Sequence, residues 1–193
     1  MAGKKAFLPD QALGKAMDLF WKQGYEASSI EDIVQCTGLG RGSLYDTFGD
    51  KHALYLAALK RYLTKYEEEV AVRLPQSGSL SEILESFFQV CIDVLLNDPA
   101  RRGCFLVNAS IEMAPHDPEV NQIVQSALQG IEEGFYRILI KAQVNGELAW
   151  TCDPHQFAHF LLGTLISIRV LARAHQDRRV LEDIVKTALS IFH

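Results

Sequence analysis

Residues 29–48, SIEDIVQCTGLGRGSLYDTF, constrain the fold of this chain more than any other stretch. Ser29 followed three residues later by Asp32 is the capping-box pattern, in which a hydroxyl and a carboxylate satisfy backbone donors at a helix start. Ile30, Ile33 and Val34 then share one face at helical spacing. The pattern breaks at Thr37-Gly38-Leu39-Gly40, where Gly38 readily supplies a left-handed residue, so the first helix is predicted to end within about two turns. Beyond the break, Leu44 and Phe48 lie four residues apart on one face and are assigned to the core. Arg41, Gly42, Ser43, Tyr45, Asp46 and Thr47 are left pointing partly elsewhere. Two short helices joined by a glycine-bearing turn form the unit that sets its second helix in a DNA major groove.

The residue types suit that task. Gly42 and Ser43 are small enough to let a helix backbone approach base edges, and Ser43 and Tyr45 carry hydroxyls that reach phosphates or bases. Arg41 can supply a guanine or a phosphate contact. Lys51 near the next helix start, and the hydroxyls of Ser28 and Ser29, suit phosphate anchoring, which positions a domain without reading sequence. Two features pull the other way. Gly40 stands where a hydroxyl residue would cap the second helix, which leaves that cap to the backbone. Residues 1–55 carry six Lys or Arg against seven Asp or Glu, a net charge of −1. Sequence-independent DNA affinity is then modest, and the placement of the positive charges decides binding.

With Phe20, Gly24 and Tyr25 before it and Lys51 and Leu54 after it, this stretch resembles the DNA-binding domain of the TetR family of one-component transcriptional regulators. The resemblance covers residues 9–56. It runs from a first helix ending in Phe20, Gly24 and Tyr25, through Ser28, Ser29, the Ile33-Val34 pair and the Gly38-Leu39 turn, to Arg41-Gly42-Ser43-Leu44-Tyr45 and Phe48 as recognition helix. It implies an all-α protein with an N-terminal three-helix helix-turn-helix DNA-binding domain, residues 1–55, and a C-terminal helical ligand-binding and dimerisation domain, residues 56–193. It further implies a homodimeric repressor that binds double-stranded, pseudo-palindromic operator DNA and is released by a small-molecule inducer or an electrophile.

The whole chain, 193 residues of which 48% are hydrophobic, has room for one substantial domain or two small ones. Lys4-Lys5 precedes only three apolar residues, Ala6, Phe7 and Leu8, before Pro9, too few for a secretory signal. The apolar region 157–172 is interrupted by His159 and Arg169 and falls short of a membrane span. A cytoplasmic protein with no membrane partner is expected. Cys36, Cys91, Cys104 and Cys152 lack the close pairing of a zinc module or a disulfide framework, so reduced thiols are expected.

Capping and stop signals divide the chain into helices. The first is predicted from Pro9 or Asp10 to Gln23, with residues 1–8 as a basic arm. A long helix follows from Asp50 toward Leu74, stopped by Pro75, and would carry a signal between the two parts as a rigid rod. Ser79 or Ser81 opens the next, closing at Asn97-Asp98-Pro99. Another runs from Gly103 or Cys104 to Met113, and Asp117 with Pro118 starts a long one that stops at Asn145-Gly146. Asp153-Pro154 starts a helix that is apolar on most sides through 173, and a last helix begins at Val180. These two leave a face to be covered, as a four-helix dimer contact would do.

Aromatic residues in the helical body, with many aliphatics, can enclose an apolar cavity bearing a few polar groups. Phe88, Cys91, Phe105, Phe135 and Phe160 are candidate lining residues, with Asn108 and Glu112 as polar ones. Cys104, at a helix N-terminus just after Arg101, Arg102 and Gly103, is placed where dipole and charge favour thiolate, the form that reacts with oxidants or electrophiles. His155 and His159 share a helix face with Cys152 nearby, but Gln156 stands where a zinc hydrolase needs glutamate. No cofactor and no catalytic constellation is indicated. A second reading, a helical small-molecule or metal binder without operator function, rests on Gly40 and the acidic balance of residues 1–55.

Overall fold

Local capping chemistry sets where the helices begin and end. In the computed structural model, which describes residues 9–73 and 77–192, the Asp32 amide donates to Ser29 Oγ at 3.1 Å and the Ser29 amide donates to Asp32 Oδ2 at 2.9 Å. This reciprocal cap opens α2, Ile30–Thr37, which ends at left-handed Gly38, φ 75°. Before it stands α1, Pro9–Gln23. After it come α3, Arg41–Phe48, started by Gly40 without any side-chain cap, and α4, Lys51–Arg73. A second capping box, Ser79 with Glu82, opens α5, Leu80–Leu96. Next are α6, Phe105–Glu112, and α7, Pro118–Val144, whose Asp117 cap accepts from the Glu119 and Val120 amides. Asp153 caps α8, Pro154–Ala174. Asp177 accepts from the Arg179 amide at 3.0 Å and so starts α9, Arg178–Leu189, two residues before the expected Val180. The basic arm over residues 1–8 and the Pro75 stop lie outside the described residues.

The helices assemble around two apolar clusters. In one, Ala12, Ala16, Met17 and Phe20 of α1 meet Ile33, Leu44 and the Leu54, Tyr55, Ala58, Leu59 and Tyr62 stripe of α4, and Phe105, Leu106 and Ala109 of α6 continue the same cluster. In the other, Leu84, Phe88 and Ile92 of α5 pack with Phe135, Leu139, Leu161, Leu165, Ile168, Leu181 and Val185. The first three helices therefore do not form a closed unit: α4 crosses the expected 55/56 division without interruption, and α6 is wedged beneath them.

Polar contacts fix that wedge. The Trp21 indole donates to the Gly103 carbonyl at 3.1 Å, and the Glu26 amide donates to Glu112 Oε1 at 3.0 Å. Gly24 has φ 88°, which favours glycine, and a Cβ there would lie 2.6 Å from Glu112 Oε2, so a larger residue would also have to displace the Glu112 carboxylate. Arg102 stacks 3.8 Å over Trp21 and bridges Asp98 at 3.1 Å and Asp18 at 2.6 Å. Burial works to raise the Asp98 carboxyl, but the Arg102 guanidinium and amide outweigh it and hold the group below the usual carboxylate range.

Helix α8 is longer than its central apolar run, and by length and composition alone it could cross a membrane. The expected shortfall for residues 157–172 is corrected on that point, because capped ends extend the helix in both directions. Within this fold its Ala158, Leu161, Leu165, Ile168 and Ala172 are buried in the bundle.

Candidate functional site

The exposed side of α3 follows from where its apolar residues go. Leu44 is 2% exposed and anchors the helix in the first cluster, with Phe48 half-buried beside it. Arg41, Gly42, Ser43, Tyr45, Asp46 and Thr47 are all exposed. Nothing lies within 4 Å of a Cβ built at Gly42, so that side of the helix is open. The Arg41 guanidinium pairs with Glu31 of α2, a surface ion pair worth at most about 1 kcal/mol that a phosphate can displace. Lys51 sits 4.2 Å over the Tyr25 ring. Ser29 is exposed but spends its hydroxyl on the α2 cap. Ser28 is corrected as a phosphate anchor: it is fully buried, and its hydroxyl donates to the Gly24 carbonyl at 2.6 Å.

A cavity of about 440 Å³ lies between α4, α5, α6, α7 and α8, lined by Leu63, Phe87, Leu106, Ile131, Phe135, Ile138 and Leu165 with Tyr62, Tyr66, Cys104 and Arg169, and bordered also by the exposed Glu67 and Arg137. That volume is within the range of small-molecule sites. The Tyr62 hydroxyl is 3.5 Å from Cys104 Sγ, and the Tyr66 hydroxyl is 3.3 Å from Cys91 Sγ. Burial pushes both phenols above their ordinary range. It also pushes the Cys91 thiol up.

Among the proposed cavity residues, Cys104 and Phe135 line this space and the others do not. Phe88 is buried behind Phe135, its ring stacked at 6.2 Å. Cys91 touches the cavity only through Tyr66. Phe105 stands edge-on to Tyr55 and Tyr62, 5.6 Å from each, inside the first cluster. Asn108 faces the first helices, donating to the Arg102 carbonyl and accepting from Arg173 at 2.8 Å. Glu112 holds the Gly24–Glu26 turn. Phe160 is 45% exposed in the groove between α8 and α9. Asn108, Glu112 and Phe160 are thus corrected as lining: each stands on the opposite side of its helix. The charge expected near Cys104 is also redistributed, since Arg102 is tied to carboxylates while Arg169 stands close by. His155 stacks on Tyr136 at 4.2 Å and His159 meets Glu132 at 3.0 Å. Among the described residues no group of three His, Cys, Asp or Glu side chains could hold a metal ion.

Residues 12–58 match the family model described as bacterial regulatory proteins, tetR family. Residues 81–188 match the tetracyclin repressor-like C-terminal domain. The chain belongs to the TetR family. It is 33% identical over 192 residues to the uncharacterized HTH-type transcriptional regulator YezE of Bacillus subtilis (strain 168), covering 99% of both chains. It is 29% identical over 189 residues to the HTH-type transcriptional repressor ComR of Escherichia coli (strain K12), covering 97% of this chain and 90% of ComR. The TetR family regulator CifR, solved as a cysteine mutant complexed with a 26 bp double-strand operator DNA, has the same fold at a TM-score of 0.87 and 26% identity, over 98% of each chain.

In this TetR-family chain the hydroxyl-bearing and charged cavity residues that sequence reasoning missed are Tyr62, Tyr66, Glu67, Arg137 and Arg169. Of these, only Arg169 stands out in the sequence, as an interruption of an apolar run. A buried arginine within such a run was the available signal, because burying a cation demands compensation.

Proposed function

We propose that this chain is a ligand-responsive transcriptional repressor that binds a pseudo-palindromic operator as a homodimer, through one α3 helix from each subunit. The observation that carries this reading is the open side of α3, where Arg41, Gly42, Ser43 and Tyr45 are exposed on a helix rooted by Leu44. ComR is named a repressor and CifR was solved on operator DNA, which supports the same use here. Residues 1–55 serve as reading head and 56–193 as ligand-binding and dimerisation body. Arg41 and Ser43 read base edges, Tyr45 and Lys51 hold phosphates, and Gly42 permits close approach; Ser29 contributes the side-chain cap that fixes the start of α2.

The exposed apolar residues Phe160 and Val170 of α8 and Ile191, in the turn just after α9, make the outer side of these two helices the dimer surface. The inducer occupies the cavity between α4 and α8. Its signal has a short route to the head: Cys104, which lines the cavity, is the N-cap of α6, and α6 grips the head through Asn108 and Glu112. A ligand that shifts α6 or tilts α4 changes the spacing of two heads and so favours the DNA-free state. An electrophile acting at Cys104 through the same cavity is the alternative signal, and it needs a thiolate there. That branch predicts that Cys104 is alkylated faster than free cysteine; a slower rate removes it.

Titrating labelled duplexes, selected from a random pool, against the protein at two salt concentrations tests the reading. Specific binding should weaken on raising salt, with a log–log slope set by the phosphates contacted. Tyr45→Ala and Lys51→Ala should weaken binding to all sequences, whereas Arg41→Ala should also relax preference at one base position, a loss of about 1–3 kcal/mol. Equal affinity for selected and random DNA contradicts the reading.

A further inference from the structure

Arg169 is a cation with nothing to balance it. The residue is 2% exposed, and its Nε and Nη1 are buried without a hydrogen-bond partner. Its guanidinium carbon lies 4.9 Å from the Tyr66 ring centroid, a cation–π contact with one wall of the cavity. Among the described residues no carboxylate pairs with it. Arginine does not shed its proton in a protein, so the charge stays in the cavity. The two hydroxyls beside it, on Tyr62 and Tyr66, reach the sulfur atoms of Cys104 and Cys91, which are weak acceptors, and the Tyr66 hydroxyl also accepts a hydrogen bond from the Arg169 guanidinium. The floor around Arg169 is therefore a group of donors without a carboxylate, and its walls, among them Leu63, Ile131, Phe135 and Leu165, are apolar; the charged residues that also border the cavity, Glu67 and Arg137, are exposed. Where Gly130 and Gly134 of α7 border it, a built Cβ meets nothing within 4 Å, which leaves an opening toward the α7 side.

From this arrangement we propose that the cavity is a site for an amphipathic monocarboxylic acid, whose carboxylate is bound by Arg169 with Tyr62 and Tyr66 and whose apolar body extends along α7 toward the Gly130–Gly134 opening. A carboxylate matches the guanidinium fork with two acceptors and supplies what the phenols lack. One buried guanidinium amid apolar walls, with Arg137 and Glu67 exposed, suits a singly charged group better than a phosphate, which carries more charge and more bound water. The assignment deepens the ligand-responsive reading above and rests on it for its biological meaning, though not for its chemistry.

The full-length protein, without DNA, is titrated calorimetrically with hexanoate and hexanamide and with 4-phenylbutanoate and 4-phenylbutanamide, inorganic phosphate serving as a third arm. Within each pair the carboxylate is expected to bind at least about tenfold more tightly, as expected when a buried charge gains its partner. Arg169→Met should abolish the difference and Arg169→Lys should keep part of it. Gly134→Phe, which blocks the opening and leaves Arg169 in place, should weaken both members. Equal affinity within each pair, no binding of any carboxylate, phosphate binding as tight as the carboxylates, or a preference that survives Arg169→Met overturns the proposal. If Arg169→Met does not fold, the wild-type pairs and Gly134→Phe still decide it. Thiolate absorbance assigned to Cys104 in the ligand-free protein at neutral pH would supply the missing negative charge internally and also overturn it. Because these measurements contain no DNA, their failure removes the carboxylate assignment alone, and failure to bind any duplex removes the regulator reading alone.

Discussion

Gly42→Glu should lower operator affinity by a factor of at least ~100 while leaving the protein folded and slightly more stable, because it sets an anion against phosphates in a helix that otherwise tolerates it. Gly42 is the second residue of α3, and a Cβ there meets nothing within 4 Å. Glutamate is a better helix former than glycine by roughly 0.5–1 kcal/mol. A carboxylate in the first turn also suits the helix dipole. Thermal unfolding and DNA titration should therefore move in opposite senses. A destabilising substitution in the core, such as Phe20→Ala, would lower both together. If Gly42→Glu binds the selected duplex as well as the native chain does, α3 does not approach DNA at this point and the reading of the helix is wrong.

The second large effect is expected far from α3. Phe160 of α8 and Ile191 in the turn after α9 are 45% and 48% exposed, so changing both to aspartate should cost the subunit itself little. It should separate the dimer, since charges in an apolar contact are left desolvated and unpaired. Operator affinity should then fall by about 100- to 10,000-fold with every residue of the head intact, because the second head no longer binds as a tethered partner. Sedimentation of the double variant at the concentration used for DNA titration checks the first step and the titration checks the second. A variant that is monomeric yet binds as tightly as the native chain would show that one head suffices.

These outcomes also mark which parts of the molecule can be read from a linear sequence. The Ser29–Asp32 box, left-handed Gly38, and the Asp117-Pro118 and Asp153-Pro154 starts were legible because each is settled by atoms within four residues of chain. The open side of α3 was legible for the same reason, since Leu44 and Phe48 fix its rotation. The cavity was harder. Asn108, Glu112 and Phe160 have suitable chemistry, but whether a residue on α6 or α8 turns toward the cavity depends on how helices distant in sequence dock. The adjacent hydroxyls of Ser28 and Ser29 show the limit within a single turn: one is buried by a bond to the Gly24 carbonyl, the other faces outward on a cap. Arg169 was visible only as a charge out of place, and its surroundings come from α4, α6 and α8 together. Likewise, α6 could be foreseen as a helix but not as the piece that ties the head to the cavity.

The central claim, that two α3 helices related by a two-fold axis read one operator, is tested most directly by hydroxyl-radical footprinting of the native protein on a selected duplex. The account predicts two protected blocks with dyad symmetry, their centres about 10 bp or a whole multiple of that apart, as two heads on one side of the duplex require. A single block, or protection spread evenly over any duplex offered, would contradict it.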